Sequence, residues 1–170
     1  MTRTPAYRVC FVCSGNICRS PMGEVILRSL LEEAGLDALV EVTSAGTGGW
    51  HEGEGADPRT VRTLDEHGYD GSAHVAHEFL PERFEELDLV LAADLGHVRQ
   101  LQRRAPTAAD QDKVRLMREF DEEAVAAGTL EVDDPWHGGE AEFQRCLAEV
   151  RAACHGVVAH VAAELAATRR

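Results

Sequence analysis

The residues best placed to do chemistry lie between positions 13 and 20, Cys-Ser-Gly-Asn-Ile-Cys-Arg-Ser. An apolar run, Tyr7 to Val12, precedes them and reads as a buried strand. Pro21 and a periodic apolar segment (Met22, Val25, Ile26, Leu30) follow and read as a helix. A tight loop between a strand and a helix N-terminus is an anion site, because its amides and the helix dipole converge on one spot. The amides of Ser14, Gly15, Asn16, Ile17 and Cys18 would form that cradle. Cys13 opens the loop, where a helix N-terminus and an arginine favour the thiolate. Arg19 closes it, and its planar fork matches two oxygens of a phosphate. Asn16 tolerates a left-handed backbone and so helps to turn the loop amides inward. Ser20 can cap the helix and can donate a hydrogen bond to the sulfur. The pattern is that of a thiolate aimed at a bound phosphoryl group.

Thiolate attack on a phosphate ester expels an alkoxide or phenoxide that needs a proton. Asp133-Asp134-Pro135-Trp136 lies in a stretch without long periodicity, residues 119–139, which reads as a long loop over the site. Pro135 stiffens the residue before it. Asp134 is therefore the candidate general acid and Asp133 the alternative. Asp-Pro also starts turns, as expected of Asp57-Pro58, so both roles stay open for this pair. Trp136 could wall an aromatic leaving group. Cys10, Cys146 and Cys154 fall on apolar positions and read as inert buried thiols.

The elements that must hold these residues follow from the rest of the chain. Residues 39–45 read as a second strand, followed by a Gly-rich loop, 46–55, carrying Trp50. A helix starts at Asp57-Pro58 and stops at Gly68. A short helix at 81–86, a strand at 87–93, a helix at 95–105 and a strand at 114–117 come next. A final helix over 141–167 carries one apolar stripe from Phe143 to Leu165. Alternating strands and helices predict an α/β fold, a single-domain, doubly wound, parallel four-stranded sheet with helices on both faces. Ligands of such sheets sit at the carboxyl ends of strands, where the 13–20 loop lies.

With 170 residues, one domain over 1–170 is expected. The net charge of −13 disfavours nucleic acid and anionic membranes as partners. A phosphate loop in such a chain must work by local geometry. No run of 18 apolar residues and no secretory leader are read, so no membrane insertion and a cytoplasmic location are expected. Five cysteines, without zinc-type spacing, argue against a disulfide framework and against a metal site. No cofactor is expected.

Three segments carry a resemblance to a known family: VCFVCSGNICRSPMGE, TSAGTGGWH and DDPWHGG. With the closing amphipathic helix they resemble the low-molecular-weight protein tyrosine phosphatases over essentially the whole chain. The resemblance implies the phosphotyrosine protein phosphatase I-like fold. It implies a metal-independent protein tyrosine phosphatase, with phosphotyrosine-containing proteins as partners and inorganic phosphate as product. By that resemblance Cys13 is the nucleophile, forming a phosphocysteine. Arg19 binds phosphate, and Asp134 protonates the leaving phenolate and then activates water. Asn16, Ser20, Ser44 and His74 match the hydrogen-bonded support of the loop. Trp50 and Trp136 match an aromatic rim, and Cys18 a second loop thiol that can pair reversibly with Cys13. Many members carry two tyrosines after Asp-Pro. Here Trp136-His137 stand there, which removes those modification sites.

Other readings share the fold. An arsenate reductase needs two further cysteines between Cys18 and Cys146, and this chain has none. A protein arginine phosphatase has Thr where Ile17 stands; the apolar Ile suits an aromatic ester better. A redox-sensing phosphate-binding protein built on Cys13 and Cys18 is compatible with catalysis.

Overall fold

The computed structural model describes residues 4–169. Four parallel strands form one sheet in the order β2-β1-β3-β4. They are β1 (Tyr7–Cys13), β2 (Val40–Gly46), β3 (Leu89–Ala92) and β4 (Val114–Leu116). β1 is central and pairs with β2 from Tyr7↔Val40 to Cys13↔Gly46, and with β3 from Val9↔Leu89 to Val12↔Ala92. A parallel pair requires a crossover, and the helices supply it.

The helices are α1 (Arg19–Glu33), α2 (Pro58–Glu66), α3 (Leu95–Arg104), α4 (Ala108–Asp112), α5 (Glu122–Ala127) and α6 (Glu140–Thr168). Alternation along β1 splits the core in two. Val9, Phe11 and Cys13 face a layer with Met22, Ile26 and Leu27 of α1 and Phe143, Leu147, Val150, Cys154 and Val157 of α6. Cys10 and Val12 face a smaller layer with Phe79, Phe84, Val90 and Leu101. Cys10, Cys146 and Cys154 are buried in these layers, as their apolar positions predict.

Gly23 lets α1 approach β1 closely, because a Cβ there would collide with the Phe11 ring. α6 is long and apolar enough by composition to be compared with a membrane-spanning helix, although no single run in the sequence showed it. Its stripe from Phe143 to Leu165 is buried against the sheet and α1.

Three local expectations are corrected. Ser20 does not cap α1: the preceding position is Cys18, and no side chain caps that helix. The Ser20 hydroxyl is instead used by Cys13 and Asn16 inside the first turn. The stretch 119–139 is not one long loop. It contains α5, started by Asp121, whose carboxylate accepts from Glu123 and Ala124, and ended by left-handed Gly128. Short 3₁₀ turns flank it at Met117–Phe120 and Pro135–His137. α4 was also not anticipated.

Candidate active site

The site sits where the topology requires it, at the carboxyl end of the central strand. β1 ends at Cys13 and α1 begins at Arg19, so only five residues make the loop. Its carbonyls are tied outward. The Cys13 oxygen accepts from Thr47 N–H at 2.9 Å, the Ser14 oxygen from Gly48 N–H at 3.1 Å and the Ile17 oxygen from Asp57 N–H at 2.9 Å. The Cys18 oxygen accepts from Met22 N–H at 3.3 Å. A trans peptide puts its N–H opposite its C=O, so these units present the amides of Ser14, Gly15, Cys18 and Arg19 to the inside. Gly46 makes room for the loop: a Cβ there would lie 2.6 Å from the Ser14 carbonyl oxygen.

Asn16 is the hinge of the turn. It is the one non-glycine residue with positive φ among the described residues, at 58°, and it is 1% exposed. Its amide nitrogen donates to Ser20 Oγ at 2.7 Å and to Ser44 Oγ at 2.9 Å. Its side-chain oxygen accepts from His77 N–H at 3.0 Å. His74 Nε2 donates to the Asn16 carbonyl at 2.7 Å, and its other ring nitrogen lies 3.4 Å from Glu24. Every buried polar group of this turn is thereby partnered. Because Ser20 Oγ accepts from Asn16, its own proton is free to point at Cys13 Sγ, 3.0 Å away.

Arg19 is 3% exposed. Nη1 donates to Asp94 Oδ2 at 2.9 Å and to the Val132 carbonyl at 2.8 Å, while Nη2 lies 3.8 Å from Asp134 Oδ2. Burial opposes its charge, but Cys13, Asp134 and Asp94 together raise its pKa above the ordinary value. Burial also works against ionised Asp94. His97, its backbone N–H and Arg19 outweigh that and hold the carboxyl below the usual range.

Asp134 faces the same space. Its Oδ1 accepts from Trp136 N–H at 3.1 Å, which orients the carboxylate, and its side chain is 44% exposed. The segment bearing it is fixed at several points. Val132 N–H donates to the Ala93 carbonyl at 2.8 Å, and Arg118 to the Glu131 carbonyl at 2.9 Å. The Arg59 guanidinium, stacked on the Phe143 ring, reaches the Gly138 carbonyl.

A cleft of about 190 Å³ opens over the loop, walled by Ile17, Trp50, His51 and Trp136, with Cys13, Arg19 and Asp134 on its floor and side. Trp50 is 72% exposed and Trp136 47% exposed, so each ring keeps open surface for a guest, although Trp50 also packs over Gly48. Trp136 packs edge-on against His137. A flat aromatic group fits between such walls, with its phosphate on the loop.

The family model for the low molecular weight phosphotyrosine protein phosphatases matches residues 8–167. The chain belongs to the low molecular weight phosphotyrosine protein phosphatase family. It is 58% identical over 155 residues to the low molecular weight protein-tyrosine-phosphatase of Streptomyces coelicolor, covering 91% of this chain and 93% of that protein. It is 40% identical to the low molecular weight protein-tyrosine phosphatase A of Mycobacterium tuberculosis, covering 88% of each chain. The crystal structure of a protein tyrosine phosphatase from Entamoeba histolytica with Hepes in the active site superposes with a TM-score of 0.87. That pair is 29% identical and covers 93% of this chain and 98% of the other.

In this family member, the residues singled out from the sequence fall into one neighbourhood. Cys13, Ser14, Gly15, Ile17, Cys18, Arg19, Trp50, Asp134 and Trp136 line the cleft; Asn16, Ser20, Ser44 and His74 form the network behind it. Asp134 lines the cleft and Asp133 does not. Cys18 is buried, and burial pushes its thiol up to about 12, with a Thr60 hydrogen bond partly opposing. Cys13 and Cys18 are both unpaired thiols in this structure.

Four participants were missed by sequence reasoning: His51 in the cleft wall, Glu24 behind His74, and Asp94 and His97 beside the loop. Asp94 was findable. It follows β3 at a carboxyl end adjacent to β1 and caps α3, its Oδ1 accepting from His97 N–H at 3.0 Å.

Proposed function

We propose that this chain, acting as one catalytic domain, hydrolyses phosphotyrosine in proteins through a phosphocysteine intermediate. The observation that carries the reading is the convergence of a thiol, a buried guanidinium and a half-exposed carboxylate on one cleft with aromatic walls. The Cys13 sulfur attacks phosphorus while the bond to the tyrosyl oxygen breaks. Asp134 gives its proton to that leaving oxygen. Arg19 and the loop amides hold the three non-bridging oxygens and meet the charge that develops on them. In the second step the Asp134 carboxylate takes a proton from water. The water oxygen attacks phosphorus, the P–S bond breaks, and inorganic phosphate leaves with Cys13 restored to thiolate. The Ser20 hydroxyl stabilises the departing sulfur.

Ile17, Trp50 and Trp136 support an aromatic ester over a phosphoguanidinium. Five unpaired thiols support a reducing, cytoplasmic setting. The partners are phosphotyrosine-containing proteins, and no step needs a cofactor. The test is hydrolysis of p-nitrophenyl phosphate without added metal, alongside a phosphotyrosine peptide and a phosphoarginine peptide. Turnover of the tyrosine peptide and not the arginine peptide is expected. The reverse preference would overturn the substrate assignment.

A further inference from the structure

Beside the phosphate loop, Ser14 Oγ lies 2.8 Å from His97 Nε2, a contact across 83 residues of sequence. His97 is 4% exposed and sits in the first turn of α3. Its Nδ1 lies 3.2 Å from Asp94 Oδ1, close enough for charge to act but not in hydrogen-bond geometry, and is left without a hydrogen-bond partner. The other Asp94 oxygen binds Arg19 at 2.9 Å. Residues 94–97 therefore touch both ends of the loop: Ser14 next to the nucleophile, and Arg19 at the close.

We propose that His97 is a positioning residue for the phosphate loop, holding its first residue through Ser14 while Asp94 of the same turn holds its last through Arg19. The inference rests on the phosphatase reading above and assigns a part of the site that reading leaves without a role. The charge of the nearby carboxylate selects the tautomer. A proton on Nδ1 faces the Asp94 carboxylate, whereas a lone pair there would be repelled by it. Nε2 is then the acceptor, and the Ser14 hydroxyl donates to it. Burial keeps the ring neutral: it lowers the His97 pKa to about 4, with Asp94 pulling it up and Arg19 pushing it down. The hydroxyl so bound is tied to α3 at the edge of the cleft. The Ser14 side chain then cannot swing over the sulfur, and its N–H, on the peptide whose carbonyl Thr47 holds, stays aimed at phosphate. His97 touches neither substrate nor sulfur, so it acts only through the loop.

The experiment is a double-mutant cycle on inorganic phosphate binding, measured by calorimetry, with p-nitrophenyl phosphate turnover and melting temperature followed in parallel. Ser14→Ala and His97→Ala should each weaken phosphate binding about fivefold, the size of one ordinary hydrogen bond. The double variant should also lose about fivefold, since the second change removes nothing further. His97→Gln, which can accept the same hydroxyl, should bind phosphate within about twofold of the parent. Losses that multiply to about twenty-fivefold, or a Ser14→Ala variant with unchanged phosphate affinity, would overturn the proposal. If His97→Ala does not fold, Ser14→Ala and His97→Gln decide the matter between them. Absence of turnover by the parent protein would count against the phosphatase reading, and the phosphate cycle would still report on the pair.

Discussion

In the proposed mechanism Cys13 and Asp134 divide the chemistry because their surroundings differ. Cys13 is 3% exposed beneath inward-facing amides, with the Ser20 proton and the Arg19 charge close by. The carboxylate stands at the open side, near enough to Arg19 to sense phosphate and open enough to meet water. Cys13→Ser should therefore abolish turnover of p-nitrophenyl phosphate while the folded protein still binds phosphate. Asp134→Ala should lower kcat by about 10² to 10⁴-fold, the usual worth of a positioned acid, with the larger loss on phosphotyrosine, whose phenolate is the poorer leaving group. Equal losses on both substrates, read from steady-state kinetics, would remove Asp134 from the proton-transfer role. Asn16 carries a different burden. Asn16→Ala deletes bonds to Ser20, Ser44 and His77 while keeping a positive φ that alanine disfavours. A stability loss of about 2–4 kcal/mol by urea denaturation is expected, with a fall in kcat.

At the scale of elements, the loop is held by its neighbours as much as by itself. The residues just after β2 supply the amides of Thr47 and Gly48 to the loop's carbonyls, and Gly46 leaves the space for them. Gly46→Ala should therefore raise KM and lower kcat together, because the added methyl meets the Ser14 carbonyl and not a side chain that can turn aside. A Gly46→Ala enzyme with the parent's kinetic constants would show that the loop is held elsewhere. The strands, the long helices and the Cys-x5-Arg loop were legible because their signals are local: apolar runs, three-four spacing and glycine stops. Ser20 was misread as a helix cap because its hydroxyl has better partners in Cys13 and Asn16, and tertiary contacts decided its use. α5 was missed although Asp121 and Gly128 mark its ends, because a helix of six residues has too few turns to show a period. Asp94 sat at a findable place, after β3 and before α3, but its partner and that of His97 did not show in the sequence. They meet Arg19 and Ser14 across 75 and 83 residues, and no local pattern reports such a meeting.

For the whole molecule, the charge of −13 repels the phosphorylated substrates that the site is built to hold. Affinity must come from the loop, so phosphate binding should strengthen with moderate salt as the global repulsion is screened. The fold as a whole also carries an acid sensitivity. His97 is neutral in the native state down to about pH 4, facing Asp94, Arg19 and Asp134, while in the unfolded chain it takes up a proton near pH 6.5. Below that value the unfolded state binds the extra proton, so stability falls as pH drops from 6.5 to 4 and levels off beneath. The loss from this one group is of order 3 kcal/mol. Denaturation midpoints across that window should fall more steeply for the parent than for His97→Gln; parallel curves would mean that His97 titrates alike in both states.

In the proposed mechanism phosphorus passes through the Cys13 sulfur. Rapid quench during turnover of a phosphotyrosine peptide, followed by mass spectrometry of the segment containing Cys13, tests this passage. One phosphoryl group on Cys13 is the predicted result, absent from Cys13→Ser. Parent enzyme that turns over with no phosphorylated Cys13 at any quench time, together with a Cys13→Ser variant that still turns over, would contradict it.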